Sequence, residues 1–347
     1  MVAKRGARYS TGHPGLDAKL EELVKEYCGE HEREYVQQLA VSAFKLGREK
    51  AKRIDLKIAN SALKEMRYAF NVFTPYRKVR KVTVFGSART EPGHPNYERA
   101  AELGRKMSNA GWMVVTGAGS GIMGAAHEGA GRKMSFGVNI RLPFEQRANP
   151  VIRGDRKLMT FRYFFTRKLF FLKESSAIVL FPGGFGTMDE TFEVLTLLQT
   201  GKQVPIPVVM VDSPETGYFR DLVRFIQGQM VQQALISAAD ESLFRVAETV
   251  EKACDEVLTF YRLYHSSRYV GEHLIIRVRR KLTRNELGQL NMSFADIVRS
   301  GQIEPSALLS EEKDDAQLGT LARIQLDFNR RSFGRLRQLV DKINSFA

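Results

Sequence analysis

The chain has 347 residues, 43% of them hydrophobic and 27% charged, the balance of a globular protein with room for more than one domain. No apolar run reaches the roughly 18 residues of a membrane helix, the basic start lacks the apolar stretch of a secretory signal, and Cys28 and Cys254 carry no disulfide or metal motif, so a cytoplasmic protein with no membrane partner, no metal and no cofactor is expected. The net charge of +14 divides into +8 over residues 1–81, +2 over 82–262 and +4 over 263–347, which puts the basicity mainly in the flanks; charge alone leaves phosphate-bearing ligands and RNA open as partners, and with no RNA- or DNA-binding motif a nucleic acid is not the expected one.

Residues 15–73 read as helices. Leu56, Ala59, Leu63, Met66, Phe70 and Phe73 recur at 3-4-3-4-3 spacing, one apolar face of a helix that Pro75 ends. That face must be buried somewhere, and a homodimer or larger homo-oligomer is expected. From Lys81 strands alternate with helices. "KVTVFG" is followed by a helix from about Tyr97 to Ala110, "WMVVTG" by a helix from about Gly121 to Lys133, and "FGVNI" by a helical stretch over 161–173. "AIVLFPGG", a helix over 187–199 and "IPVVMV" come next, then helices near 217–234 and 247–260. Such alternation predicts an α/β fold, a doubly wound parallel sheet of Rossmann type with helices on both faces. Near-continuous apolar runs such as "AIVLF" fit strands buried on both sides. After Tyr264 the alternation stops. "HLIIRVRR", "TLARIQLDF" and a final helix from about Arg330 to Phe346 predict a small α+β appendage, with the acidic "SEEKDDAQ" as an exposed loop. The expected domains are therefore 1–78, helical; 79–262, nucleotide-binding and catalytic; and 263–347, the appendage.

Two strand-to-helix junctions are rich in glycine. In "TGAGSGIMG", Gly119, Gly121 and Gly124 fit G-x-G-x-x-G directly after a strand. Glycines let backbone approach a phosphate, and a helix N-terminus supplies N–H groups and a positive dipole. A dinucleotide site would also need an acid about twenty positions on. Arg141 stands there instead. The second junction is "LFPGGFGTMDE". If "VTVFG" and "AIVLF" flank the point where strand order reverses, "GSAR" at 86–89 and "PGGFGT" at 182–187 face one crevice. Gly86, Ser87, Gly119, Ser120, Gly121, Gly183, Gly184, Gly186 and Thr187 are then the candidate phosphate and substrate contacts. Glu190 lies one turn into the following helix, within reach of a group attached to that phosphate. Asp189 and Glu193 read as surface acids. On the preceding aromatic helix, Arg167 has Tyr163 at i−4 and Phe171 at i+4. An arginine held among rings can stack on a base or clamp an anion. Lys168, beside it, is a further candidate contact.

"PGGFGTMDE", the upstream "RK", the early "FGSAR" and "GAGSGIMG" together resemble the LOG ("Lonely Guy") family of cytokinin riboside 5′-monophosphate phosphoribohydrolases, also labelled lysine decarboxylase-like. The resemblance spans roughly 80–262. It implies hydrolysis of the N-glycosidic bond of a nucleoside 5′-monophosphate, with Arg167 and Glu190 as the catalytic pair and the PGGFGT loop as phosphate cradle. Phe164, Phe165 and Thr166 stand where plant-like members carry Met-His-Glu, so the chain looks like the longer bacterial branch. The alternative class is a nucleotide-binding sensor or carrier without turnover. It would bind a nucleoside monophosphate and return it unchanged.

Overall fold

The computed structural model describes residues 9–28, 32–143, 147–212, 216–309 and 318–347. "SEEKDDAQ" lies outside them. The chain forms two compact units, Met1–Arg67 and Tyr68–Ala347.

The first unit is helical, with α1 (Pro14–Cys28), α2 (Arg33–Arg48) and the start of α3 (Arg53–Phe73). Asp17 in the first turn of α1 accepts from Thr11 N–H at 2.9 Å, an acid placed where a helix N-terminus favours one. On α3, Leu56 and Leu63 of the periodic face remain largely exposed.

The second unit is built on a seven-stranded parallel sheet. Its strands are β1 (Lys81–Phe85), β2 (Met113–Thr116), β3 (Ser135–Ile140), β4 (Leu158–Phe161), β5 (Ala177–Leu180), β6 (Val208–Val211) and β7 (Arg245–Ala247). The order is β4-β3-β2-β1-β5-β6-β7. The chain winds outward from β1 to β4, returns to β5 beside β1, and winds outward again. Strand order therefore reverses between β1 and β5, where Val82 to Phe85 pair with Ala177 to Leu180. The helices that cross between strands are α4 (Pro95–Asn109), α5 (Ile122–Ala130), α6 (Phe164–Lys173), α7 (Phe185–Gln199) and α8 (Tyr218–Phe225), and α9 (Val250–Thr259) follows β7. β1, β2, β3, β5 and β6 are buried along their whole length, which is why they read as unbroken apolar runs.

The Rossmann-type sheet is as the alternation predicts, with three local differences. Residues 158–161 form an edge strand where the aromatic run suggested that a helix begins. α6 therefore starts at Phe164, and Tyr163 caps it in extended conformation. β7 was not foreseen, because three residues are too short for a periodicity to register. α7 starts at Phe185, two residues early, so Gly186 and Thr187 belong to its first turn and Gly184 is the cap.

The C-terminal part carries β8 (Tyr264–Val270), β9 (His273–Val278), α10 (Arg284–Phe294), β10 (Glu304–Ser306), β11 (Ala322–Leu326) and α11 (Phe333–Asn344). Its four strands form an antiparallel sheet in the order β10-β11-β9-β8. Leu274, Ile276, Val278, Ile324 and Leu326 from this sheet join one continuous core with Val82 and Val84 of β1 and with α4, α9 and α11. Asn344 at the end of α11 accepts from Leu263 and Tyr264 N–H at 3.0 and 2.9 Å, and donates to Phe260 at 2.7 Å.

The last turn of α3 lies in this second unit and props up α6. Phe73 stacks on Phe136 at 4.6 Å and on Phe170 at 6.0 Å, and Phe70 meets Phe170 at 5.3 Å. Phe73 is 2% exposed. Phe73→Ala is expected to cost about 3–5 kcal/mol, whereas Leu63→Ala, at a position 46% exposed, stays below about 1 kcal/mol. Urea unfolding of both variants checks this.

Candidate functional site

The C-terminal ends of β1, β2 and β5 leave through three loops that are laced together by backbone. Ser87 N–H donates to Pro182 O at 3.1 Å, and Ile122 N–H donates to Ser87 O at 3.0 Å. Ser120 Oγ adds a bond to Ala88 O at 2.8 Å. This lacing explains Gly183. A β-carbon there would collide with Thr187 Oγ1 and come within 2.9 Å of the Ser87 nitrogen. Gly184 and Gly186 differ. Neither has an atom within 4 Å of a β-carbon position, and Gly184 has an ordinary φ of −86°. They are exposed, at the start of α7, where the first-turn amides have no carbonyl four residues back within the helix. Those amides and the dipole behind them favour an anion.

Beside this loop is an open pocket of about 800 Å³. Arg167 enters it from α6. Its Nε donates to Val138 O at 2.9 Å, and its guanidinium lies 4.8 Å from the Phe171 ring. Of the two rings expected to hold it, only Phe171 does so. Tyr163 sits before the helix, stacks on Phe165 at 5.7 Å, and offers its carbonyl to Arg167 N–H at 3.3 Å. Gly117 leaves room for the guanidinium: a β-carbon there would stand 2.5 Å from Arg167 Nη2 and 2.8 Å from Met123 Sδ. Burial lowers the Arg167 pKa, and the field of Glu190 partly opposes that.

Glu190 enters from α7 and is 6% exposed. Burial pushes its pKa up to about 7, although Lys168 and Arg167 both pull it down. Desolvation outweighs two nearby cations here because the carboxylate has lost most of its water. Lys168 Nζ lies 2.7 Å from Glu193, 2.9 Å from Asp189 and 3.3 Å from Glu190. Burial works against its charge, but the hydrogen bonds to Glu193 and Asp189 and the field of Glu190 raise its pKa overall.

The pocket brings together Gly86, Ser87, Arg167, Gly183, Gly184, Gly186, Thr187 and Glu190. Four expected residues are not in its lining. Ser120 and Gly121 line a neighbouring hollow across residues 88–89. Gly119 is packed behind the loop, where its carbonyl accepts from Asn149 Nδ2 at 3.1 Å. Lys168 is occupied by carboxylates. The pocket also holds Gly117, Met123 and Tyr218, which sequence reasoning missed. For Tyr218 the available signal was an aromatic residue just beyond the "IPVVMV" strand, at the sheet end where ligands bind.

A family model described as "Possible lysine decarboxylase" matches residues 121–257. A cytokinin riboside 5′-monophosphate phosphoribohydrolase of Arabidopsis thaliana is 28% identical over 181 residues, 50% of this chain and 80% of that protein. A protein of Oryza sativa subsp. japonica, named "Probable cytokinin riboside 5′-monophosphate phosphoribohydrolase", is 31% identical over 180 residues, 50% of this chain and 69% of that protein. The chain belongs to the LOG family. Among solved structures it is similar to a Moco carrier protein from Chlamydomonas reinhardtii, at 22% identity and a TM-score of 0.34, covering 52% of this chain and 98% of that one. The stretch matched by the family model contains Arg167, Lys168, Glu190 and the 182–187 loop. The decarboxylase label of the LOG family model fits this pocket poorly. Pyridoxal chemistry needs a lysine amine to form a Schiff base. The pocket lining holds no lysine among the described residues, and Lys168 is engaged by three carboxylates.

Two outcomes follow from the packing and the charge. Gly183→Ala is expected to lose about 1–3 kcal/mol by overpacking, while Gly184→Ala stays within about 1 kcal/mol of the parent; thermal unfolding separates them. Glu190 deprotonates near 4.5 when unfolded and near 7 when folded. Between those values the folded state binds the extra proton, so this group lowers stability as pH rises. Glu190→Gln removes that penalty. It should stabilise by about 1–3 kcal/mol at pH 8 and by nothing measurable at pH 4, as read from denaturant midpoints.

Proposed function

We propose that this pocket hydrolyses the N-glycosidic bond of a nucleoside 5′-monophosphate, AMP-like or a cytokinin riboside monophosphate, to free base and ribose 5-phosphate. One juxtaposition carries the reading: open amides at the start of α7 and the buried carboxylate of Glu190 line the same pocket. The first suits a phosphate and the second suits the positive charge of a reacting ribose. The relatives' names point to the same chemistry.

In this reading the 182–187 loop holds the 5′-phosphate. The C1′–N bond breaks through an oxocarbenium-like ribose, as in other glycoside hydrolysis. Glu190, as a carboxylate, opposes that charge and takes the proton of the attacking water. Arg167 faces the negative charge that develops on the departing base. Water supplies the oxygen that ends on C1′, and its proton ends on the base.

Incubation with AMP, GMP, CMP, UMP and isopentenyladenosine monophosphate is expected to release free base, seen by chromatography. Glu190→Gln and Arg167→Ala should lower turnover about a hundredfold or more, and Asp189→Asn should be mild. The rate should fall about tenfold per pH unit below about 7, because protonation removes the carboxylate. Bound nucleotide recovered unchanged after long incubation with the folded protein would assign a carrier or sensor instead. Leu56 and Leu63 keep exposed apolar surface on α3, and light scattering is expected to give a dimer or larger assembly.

A further inference from the structure

The structure assigns to Tyr218, at the start of α8, the positioning of the phosphate loop. This rests on the reading of that loop as a phosphate cradle. The Tyr218 hydroxyl donates to Gly183 O at 2.6 Å, across 35 positions of sequence. Among the described residues it is the side chain that bonds the 182–184 backbone from outside the loop.

The geometry of one peptide plane gives this bond its consequence. The carbonyl of Gly183 and the N–H of Gly184 belong to the same planar trans unit and point in opposite directions. A bond that fixes the carbonyl on Tyr218 therefore fixes the Gly184 N–H on the opposite side. That N–H has no acceptor among the described residues, and Gly184 is exposed at the cap of α7. The preceding plane is held in the same manner by Ser87 N–H on Pro182 O. Two consecutive carbonyls are thus pinned, and the N–H groups behind them are oriented before any ligand arrives.

Tyr218 is itself held firmly. Phe219 beside it is fully buried, and its N–H donates to Asp212 Oδ1 at 2.9 Å. The two rings meet edge to face at 5.0 Å. Asp212 closes β6 and is 3% exposed. The clamp therefore links the end of β6 to the loop after β5. Without it, Gly183 and Gly184 would keep the backbone freedom that glycine brings, and binding would have to restrict it.

Tyr218→Phe deletes the hydroxyl and keeps the ring. The KM for AMP is expected to rise about five- to tenfold with kcat within about twofold, while the unfolding temperature shifts by no more than a few degrees. The Kd for ribose 5-phosphate, from calorimetry, should rise by the same factor, and any turnover of unphosphorylated adenosine should not change. An unchanged KM and an unchanged Kd for ribose 5-phosphate would overturn the inference. So would a fall in kcat at constant KM, which would put the hydroxyl in the chemical step. If the wild type turns over no nucleotide, the hydrolase reading fails, but the affinity for ribose 5-phosphate still decides the role of Tyr218.

Discussion

The backbone of Ser87 ties together the three loops on which this site is built. Its N–H reaches the loop after β5, and its carbonyl takes the amide that opens α5. These bonds lie where strand order reverses, at the crevice that a doubly wound sheet reserves for ligands. They bring the loops so close that Gly183 has no room for a side chain. Two backbone segments can approach to hydrogen-bond distance only where nothing projects between them. The glycines of the 182–187 loop thus divide by task. Gly183 serves the packing of loop on loop, whereas Gly184 and Gly186 leave the helix N-terminus open.

Charge placement follows from the same crevice. α6 supplies Arg167 and Lys168, and α7 supplies Asp189, Glu190 and Glu193, to one region where Lys168 meets all three carboxylates. The exposed Asp189 and the half-buried Glu193 share Lys168. Glu190, the buried one, meets Lys168 at a longer 3.3 Å. Its burial dominates, and its pKa moves upward to about 7 despite two cations. A buried carboxylate with a raised pKa, facing a pocket of ligand size, is what the proposed hydrolysis asks of Glu190.

The helix that carries Arg167 depends on parts of the chain outside the minimal sheet. Phe70 and Phe73 from the end of α3 pack on Phe170, one turn from Arg167. The C-terminal sheet and α11 share a core with β1 and α9. Both therefore support the frame on which the pocket is built.

Much of this protein can be read from its residues. Periodicity two and 3.6 marked the sheet and most of its helices, because buried parallel strands are apolar throughout and the crossover helices are amphipathic. The glycine-rich "PGGFGT" and the carboxylate after it pointed to a loop and an acid that the structure brings to one pocket, since glycines and an acid are residue types that a local stretch displays directly. Short elements escaped: β4 and β7 owe their conformation to the neighbouring strand that pairs with them, not to local pattern. Tertiary structure alone decided which polar residues share the pocket. Lys168 follows Arg167 in sequence but points to carboxylates on α7, because successive helical residues lie about 100° apart and face different neighbours. Tyr218 joins the loop from 35 residues away, a contact that exists only because β6 lies beside β5. Residue type and spacing determine local conformation and local chemistry. Partners across the sheet depend on strand order, which no local stretch of sequence encodes.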